Sequence, residues 1–171
     1  MEDLVIKGFA HFQFSINMRI CLFPGTFDPV TLGHTDIIHR ALPLFDKFII
    51  GIGRNVNKEP MFSEKKRLMW LREIYKNDVK VEALAYDGLT VECCKKNNAN
   101  FILRGIRYVN DFEYEKAIAD MNRSLDHNIE TIFLTCLPQF TSVASTLVRD
   151  VIRNGGNVSQ FLPEEVYNTL H

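Results

Sequence analysis

The sequence lacks both a long hydrophobic run and an excess of charge of either sign. No apolar stretch reaches the roughly 18 residues that a membrane-spanning helix needs. Lys and Arg number 20 against 21 Asp and Glu, which gives a formal net charge of −1. Overall charge therefore does not attract the chain to nucleic acid or to an anionic membrane. We expect neither as a partner, and any site for an anion must be a local cluster.

Cysteine is also scarce. The chain has four cysteines and no CxxC spacing, and adjacent cysteines such as Cys93 and Cys94 do not normally bridge each other. This pattern favours free thiols in a reducing compartment, and so a cytoplasmic protein. The first seventeen residues carry Glu2, Asp3 and Lys7, which is atypical of a secretory signal peptide.

The composition is that of an ordinary globular chain. Hydrophobic residues make up 46% and charged residues 24% of the 171 positions, which excludes a disordered chain and a low-complexity array. The length favours one domain, and we find no internal repeat or linker. We assign residues 18–171 to a single domain and residues 1–17 to an N-terminal extension. The role of the extension is left open between an upstream start and an added strand.

Strand and helix patterns alternate along the chain. Short apolar runs predict five strands, at 19–24, 47–53, 79–84, 101–104 and 130–134. Helical spacing and capping residues predict helices at 32–44, after Ser63, at 90–97, 111–125 and 145–154, and from Pro163. These units predict a Rossmann-like, doubly wound, five-stranded parallel sheet with helices on both faces. Such sheets bind ligands beyond the carboxyl ends of their strands.

The loop after the first strand carries candidate binding groups. Gly25 permits close approach of a ligand, and Thr26 offers a hydroxyl and a backbone N–H. His34 falls at the start of a helix, where unpaired N–H groups and the helix dipole favour an anion. Taken singly, these residues are more often a turn followed by a surface histidine.

Cationic residues lie in two further loops of the same predicted edge. Lys58 follows the second strand, and Arg104 and Arg107 flank the Gly-Ile pair that follows the fourth. A nearly neutral protein that binds several phosphates needs such a local cluster. Ser145 and Thr146 precede the predicted fifth helix and can cap it or contact phosphate.

Together these segments resemble a known family. The segment GTFDPVTLGH at 25–34 resembles the G-T-F-D-P-x-T-x-G-H motif of nucleotidyltransferases. With NKEPMF, RGIR, DFEYE and STLVR in order, residues 18–170 are similar to the phosphopantetheine adenylyltransferase family. The resemblance implies transfer of AMP from ATP to 4′-phosphopantetheine, which gives dephospho-coenzyme A and pyrophosphate. It also implies Mg²⁺ brought by the phosphates of ATP, a homohexamer, and feedback inhibition by coenzyme A.

The resemblance also implies roles for individual residues. His34 stabilises the transition state at the α-phosphate, Thr26 orients the attacking phosphate, and Lys58 and Arg107 complete the catalytic set. The 4′-phosphopantetheine side comprises Thr26, Lys58, Thr90 and Arg104. The ATP side comprises Thr26, Phe27, His34, Gly105, Ile106, Arg107, Glu115, Phe140, Thr141, Ser142, Val143, Ala144, Ser145 and Thr146. This chain departs from the family at Ala144, where a hydroxyl is usual, and at Phe140, where tryptophan is frequent.

Several alternatives remain open at the level of sequence. Glu115 is an ATP ligand, a structural acid paired with Arg107 or Arg123, or both. A related cytidylyl- or adenylyltransferase acting on glycerol phosphate or nicotinamide mononucleotide is the second enzymatic hypothesis. A nucleotide-binding module without chemistry is the third, and an intact T-x-G-H with both arginines argues against it.

Overall fold

A parallel sheet organises the molecule. The computed structural model describes residues 18–54 and 59–170, so the predicted extension 1–17 and Lys58 lie outside the described residues. The strands are β1 Ile20–Gly25, β2 Lys47–Gly53, β3 Val81–Tyr86, β4 Phe101–Ile106 and β5 Glu130–Thr135. They form one sheet in the order β3-β2-β1-β4-β5, and every neighbouring pair is parallel. The predicted fold class is confirmed.

Helices pack on both faces of the sheet because its central strands are apolar on both sides. The helices are α1 Leu32–Ala41, α2 Glu64–Ile74, α3 Thr90–Lys96, α4 Val109–Leu125, α5 Ser145–Arg153 and α6 Glu164–Tyr167. Side chains of β1 alternate between two cores: Cys21 and Phe23 join one, and Ile20 and Leu22 join the other. The first core contains residues of α1, α2, α5 and α6, and the second contains residues of α3. Within the described residues, no helix is long and apolar enough to cross a membrane.

Three of the predicted boundaries that differ from the structure are explained by a local polar contact or a proline. Helix α1 ends at Ala41 and a 3₁₀ turn follows, because Pro43 cannot continue the hydrogen-bond ladder of an α-helix. Strand β3 starts at Val81 instead of Val79, since Asp78 forms a turn in which its carboxylate accepts the Lys80 N–H. Helix α4 starts two residues early because the Asp111 carboxylate caps it by accepting the Tyr108 N–H at 3.3 Å.

The strand order fixes where a ligand can bind. From β1 the chain moves outward through β2 to β3, then crosses over to β4 on the other side of β1. The order therefore reverses between β1 and β4, and a crevice opens at their carboxyl ends. Those ends carry Gly25 and the segment from Arg104 to Ile106, which belong to two of the segments that the sequence singles out.

Candidate active site

The loop between β1 and α1 is held by a buried aromatic anchor. Phe27 has a left-handed backbone, with φ of 47°, and its side chain is 1% exposed. Its ring lies 5.6 Å from the Phe23 ring and 5.0 Å from the His34 imidazole, measured between centroids. A non-glycine residue keeps such a backbone only when its surroundings fix it. The Phe27 side chain is therefore a structural anchor behind the site, on which the loop and His34 rest.

His34 is held in one orientation by the start of its own helix. The backbone N–H of Thr31, the N-cap of α1, donates to His34 Nδ1 at 3.0 Å. Because Nδ1 accepts this bond, the neutral imidazole carries its proton on Nε2. Burial, with the nearby Arg107 charge as a second cause, lowers the pKa of His34 to about 4. At neutral pH His34 therefore offers an uncharged Nε2–H donor.

The low pKa of His34 predicts a pH dependence of stability. Between pH 6.5 and about 4 the unfolded chain binds a proton at this residue and the folded chain does not. The contribution of the neutral His34 imidazole to the free energy of unfolding is therefore complete above pH 6.5 and is lost as the pH falls through this range. The free energy of unfolding of the wild type should fall between pH 7 and pH 5. We expect this fall to be smaller in His34→Gln, by about 1–2 kcal/mol. Urea unfolding at both pH values measures this; equal losses in the two proteins would contradict the pKa assignment.

A cavity of about 280 Å³ lies in front of His34, between the ends of β1 and β4 and the start of α5. We call it the His34 cavity. Of the residues predicted for the ATP side, those that line it are Phe27, His34, Gly105, Arg107, Glu115, Phe140, Ala144, Ser145 and Thr146. The side chain of Ile106 lies in the core, and Thr26, Thr141, Ser142 and Val143 are not among the residues that line the His34 cavity. Any part these five residues play in binding ATP stays a prediction.

A second cavity, of about 510 Å³, adjoins the first, and we call it the Thr90 cavity. Three of the residues predicted for the 4′-phosphopantetheine side line it together, namely Thr26, Thr90 and Arg104. Thr90 is fixed by a 2.9 Å hydrogen bond between its hydroxyl and that of Tyr86. Both cavities are lined by Pro24, Gly25, Arg104 and Glu115. Two ligands can therefore meet at the end of β1, with Arg104 facing both.

Arg104 is oriented by Glu115 of α4. Arg104 Nε donates to Glu115 Oε2 at 2.6 Å, Nη2 donates to the other carboxylate oxygen, and Nη1 donates to the Pro24 carbonyl at 2.8 Å. The structural partners predicted for Glu115 were wrong. Arg107 pairs with Asp111 on the first turn of the helix, and Arg123 pairs with Glu130 of β5. An ion pair between β4 and α4 depends on how the helix packs, which local spacing does not show.

We expect Glu115→Gln to act mainly through Arg104. A charge-assisted bond of this kind contributes about 1.5–3 kcal/mol, so a loosened Arg104 should raise the acceptor KM about tenfold and the ATP KM less. Steady-state kinetics with each substrate varied measures the split. Glu113→Gln, two residues away and exposed on the same helix, is the matched control and should behave as wild type. A rise confined to the ATP KM would instead make Glu115 a direct ATP ligand.

The start of α5 supplies backbone donors to the His34 cavity. The predicted cap was wrong: Ala144 is the N-cap, and the Ser145 hydroxyl donates to the Pro29 carbonyl at 2.8 Å. The first bond of the helix runs from the Val148 N–H to the Ala144 carbonyl. The N–H groups of the first turn therefore have no partner within the helix, and the positive end of its dipole lies at the cavity. This arrangement suits phosphate oxygens.

Sequence reasoning missed a third cavity and its cations. This Arg149 cavity, of about 620 Å³, is lined by Thr26, Asp28, Arg54, Arg67 and Arg149, among others. Arg54 follows β2 directly and is paired with Glu64 and Asp87. Its position after a buried strand is the same signal that identified Arg104. No local signal marks Arg67, which lies inside a helix. Arg149 is the last residue of the STLVR segment that contributes to the family resemblance, but the sequence assigned no role to it.

The comparisons with known proteins agree with this geometry. A family model described as cytidylyltransferase-like matches residues 22–151, and the chain is thus a nucleotidyltransferase of that class. It is 52% identical over 149 residues to the phosphopantetheine adenylyltransferase of Flavobacterium psychrophilum, covering 87% of this chain and 98% of the relative. Relatives of the same name from Christiangramia forsetii and Phocaeicola vulgatus are 50% and 48% identical, over 87% and 86% of this chain and 98% and 97% of theirs. The chain belongs to the phosphopantetheine adenylyltransferase family, which confirms the family predicted from the sequence.

Proposed function

We propose that the chain transfers the adenylyl group of ATP to 4′-phosphopantetheine, forming dephospho-coenzyme A and pyrophosphate. The observation that carries this is the pair of adjoining cavities with Arg104 facing both. One cavity is lined by His34 and the start of α5, which we propose bind the phosphates of ATP. The other is larger and is lined by Thr90 as well as Arg104, which suits an acceptor with a long arm. The name of the curated relatives supplies the acceptor.

The proposed chemistry needs charge stabilisation more than proton transfer. An oxygen of the acceptor phosphate attacks the α-phosphorus of ATP, the bond from that phosphorus to the bridging oxygen breaks, and pyrophosphate leaves with the electron pair. The nucleophile is already an anion, so no strong general base is required. Catalysis then rests on alignment and on donors aimed at the developing charge.

Each proposed role follows from a position in the site. His34 donates from Nε2 to an oxygen on the α-phosphate, and the backbone of the α5 start binds the outer phosphates. Arg104, fixed by Glu115, binds the acceptor phosphate, and Thr26 orients it from the end of β1. Arg107 is exposed, is paired with Asp111 through Nε and lines the His34 cavity, from which we propose that it binds a phosphate of ATP. Lys58 lies outside the described residues, and its role remains a prediction from the family resemblance.

Assembly as a homohexamer is a further part of the proposal. Helix α4 exposes four apolar side chains, Val109, Phe112, Met121 and Leu125, at 42–73% of their surface. Apolar exposure of this kind on one element is typical of a surface that another chain covers. Light scattering on the purified protein tests this: six chain masses are expected, and a monomer would contradict it.

The remaining expectations rest on the family resemblance. We infer a cytoplasmic enzyme that uses Mg²⁺ carried by ATP and is inhibited by coenzyme A. In residues 18–54 and 59–170 no group of three His, Cys, Asp or Glu side chains is arranged to hold a metal ion. An ion carried by ATP is bound mainly by phosphate oxygens. Omitting Mg²⁺ from the assay and adding coenzyme A to it are the corresponding tests, and both should lower turnover.

A further inference from the structure

A buried carboxylate connects the first loop to the segment that precedes α2. Asp28 is 4% exposed, although it is an ionisable residue in a loop. Its Oδ2 accepts the backbone N–H of Met61 at 2.9 Å, and its Oδ1 accepts that of Phe62 at 2.9 Å. Both oxygens of the carboxylate are therefore engaged by backbone donors from a segment more than thirty residues away.

Two arginines complete the cluster from two different helices. Arg67 of α2, 5% exposed, donates to the carbonyls of Thr26 and Phe62. Arg149 of α5 donates to the backbone carbonyl of Asp28 and lies 3.6 Å from its Oδ2. A buried charge is tolerated when it is paired and hydrogen-bonded in this way. The cluster joins the first loop, the segment before α2, and α5.

We propose that Asp28 is a positioning residue that holds Thr26 in its catalytic orientation, an inference that rests on the proposed adenylyl transfer. Thr26 lies two residues before Asp28, is exposed to the Thr90 cavity, and is held by Arg67, which also binds the Phe62 carbonyl. The hydrogen bond from the Phe62 N–H to the Asp28 carboxylate therefore completes a closed set of contacts around Thr26. Only a carboxylate fits, because the amide of Asn places an N–H group against a backbone N–H.

The test is Asp28→Asn, which keeps the size of the side chain and removes its charge. We expect kcat to fall about 10- to 100-fold, as for a reacting group displaced by a fraction of an ångström to about 1 Å. Asp46→Asn is the matched control. Asp46 also accepts a backbone N–H and pairs with an arginine, Arg19, but lies at the opposite end of the sheet. It should keep wild-type kcat, so a comparable fall in kcat in this variant would overturn the proposal.

A double-mutant cycle with Thr26→Ala separates positioning from a general loss of structure. If Asp28 acts through Thr26, the double variant loses about as much kcat as the worse single variant. Fold-losses in kcat that multiply in the double variant overturn the proposal. A folded Asp28→Asn variant with kcat within twofold of wild type also overturns it. If Asp28→Asn does not fold, Arg149→Gln takes its place in the cycle with the same two outcomes. Wild-type turnover with ATP and 4′-phosphopantetheine is measured first, so a failure of the proposed function is recognised separately.

Discussion

His34→Ala is expected to lower kcat by at least ~10², which is the range for losing one preorganised donor to a developing charge. The imidazole is fixed by its bond from the Thr31 N–H, and its free nitrogen Nε2 carries the proton. It lines the cavity beside the start of α5, where the phosphates of ATP are proposed to bind. No rearrangement is needed to present this donor in the transition state. Steady-state kinetics at pH 7.5 measures the effect.

The stability of the variant needs its own control. A solvent-facing histidine could be replaced without effect on folding, but His34 is half-buried and caps α1. Loss of the capping bond costs about 1 kcal/mol, which should lower Tm by a few degrees. His34→Gln is the matched variant, because glutamine at this helix position accepts the same N–H. The His34→Gln variant should recover most of the Tm that His34→Ala loses, while its kcat stays as low as that of His34→Ala. Activity within a few-fold of wild type in both variants would show that the imidazole takes no part in catalysis.

Removing the phosphate from the acceptor is expected to have the largest effect of all. Arg104 is half-buried, and its guanidinium is oriented toward the cavities by Glu115. Pantetheine lacks the phosphate that Arg104 and Thr26 are proposed to bind, and each lost charge-assisted bond costs about 1.5–3 kcal/mol. Two or three such bonds suppress kcat/KM by ~10³ or more. The attacking oxygen is lost as well, so pantetheine should be inert.

Kinetics with matched acceptors measures this selectivity. 4′-Phosphopantetheine and pantetheine are compared at equal ATP, and CTP replaces ATP in a parallel series. We expect turnover only with the phosphorylated acceptor, and ATP preferred over CTP. Comparable kcat/KM for glycerol phosphate or nicotinamide mononucleotide would instead favour the second enzymatic hypothesis.

The sheet could be predicted from the sequence because its strands are continuous apolar runs. β2 has its predicted bounds, and the runs of β1, β4 and β5 lie within one or two residues of theirs. Strand β3 lies at the edge of the sheet and is only half-buried, so its apolar pattern is weaker. The Asp78 turn then decides where it begins. Hydrogen bonds between polar side chains and the nearby backbone set such strand boundaries, and the hydrophobic periodicity of the sequence does not reveal these bonds.

The site could be predicted at the level of its loops but not of its contacts. The strand–loop–helix order places Thr26, His34 and Arg104 at one edge of the sheet, and the structure brings them there. The partner of Glu115 depends on the packing of α4 on β4, and the contacts of Asp28 depend on a segment far along the chain. Such contacts arise only when separate elements pack together, and a single sequence taken alone carries no signal for them.

The most direct test of the proposed reaction is a product assay on the wild-type enzyme. The protein is incubated with MgATP and 4′-phosphopantetheine, pyrophosphate release is followed continuously, and the adenylylated product is identified by mass spectrometry. Transfer of AMP predicts one pyrophosphate for each dephospho-coenzyme A formed, with neither product when the acceptor is left out. A protein that binds ATP in the His34 cavity but releases no pyrophosphate with this acceptor would contradict the account.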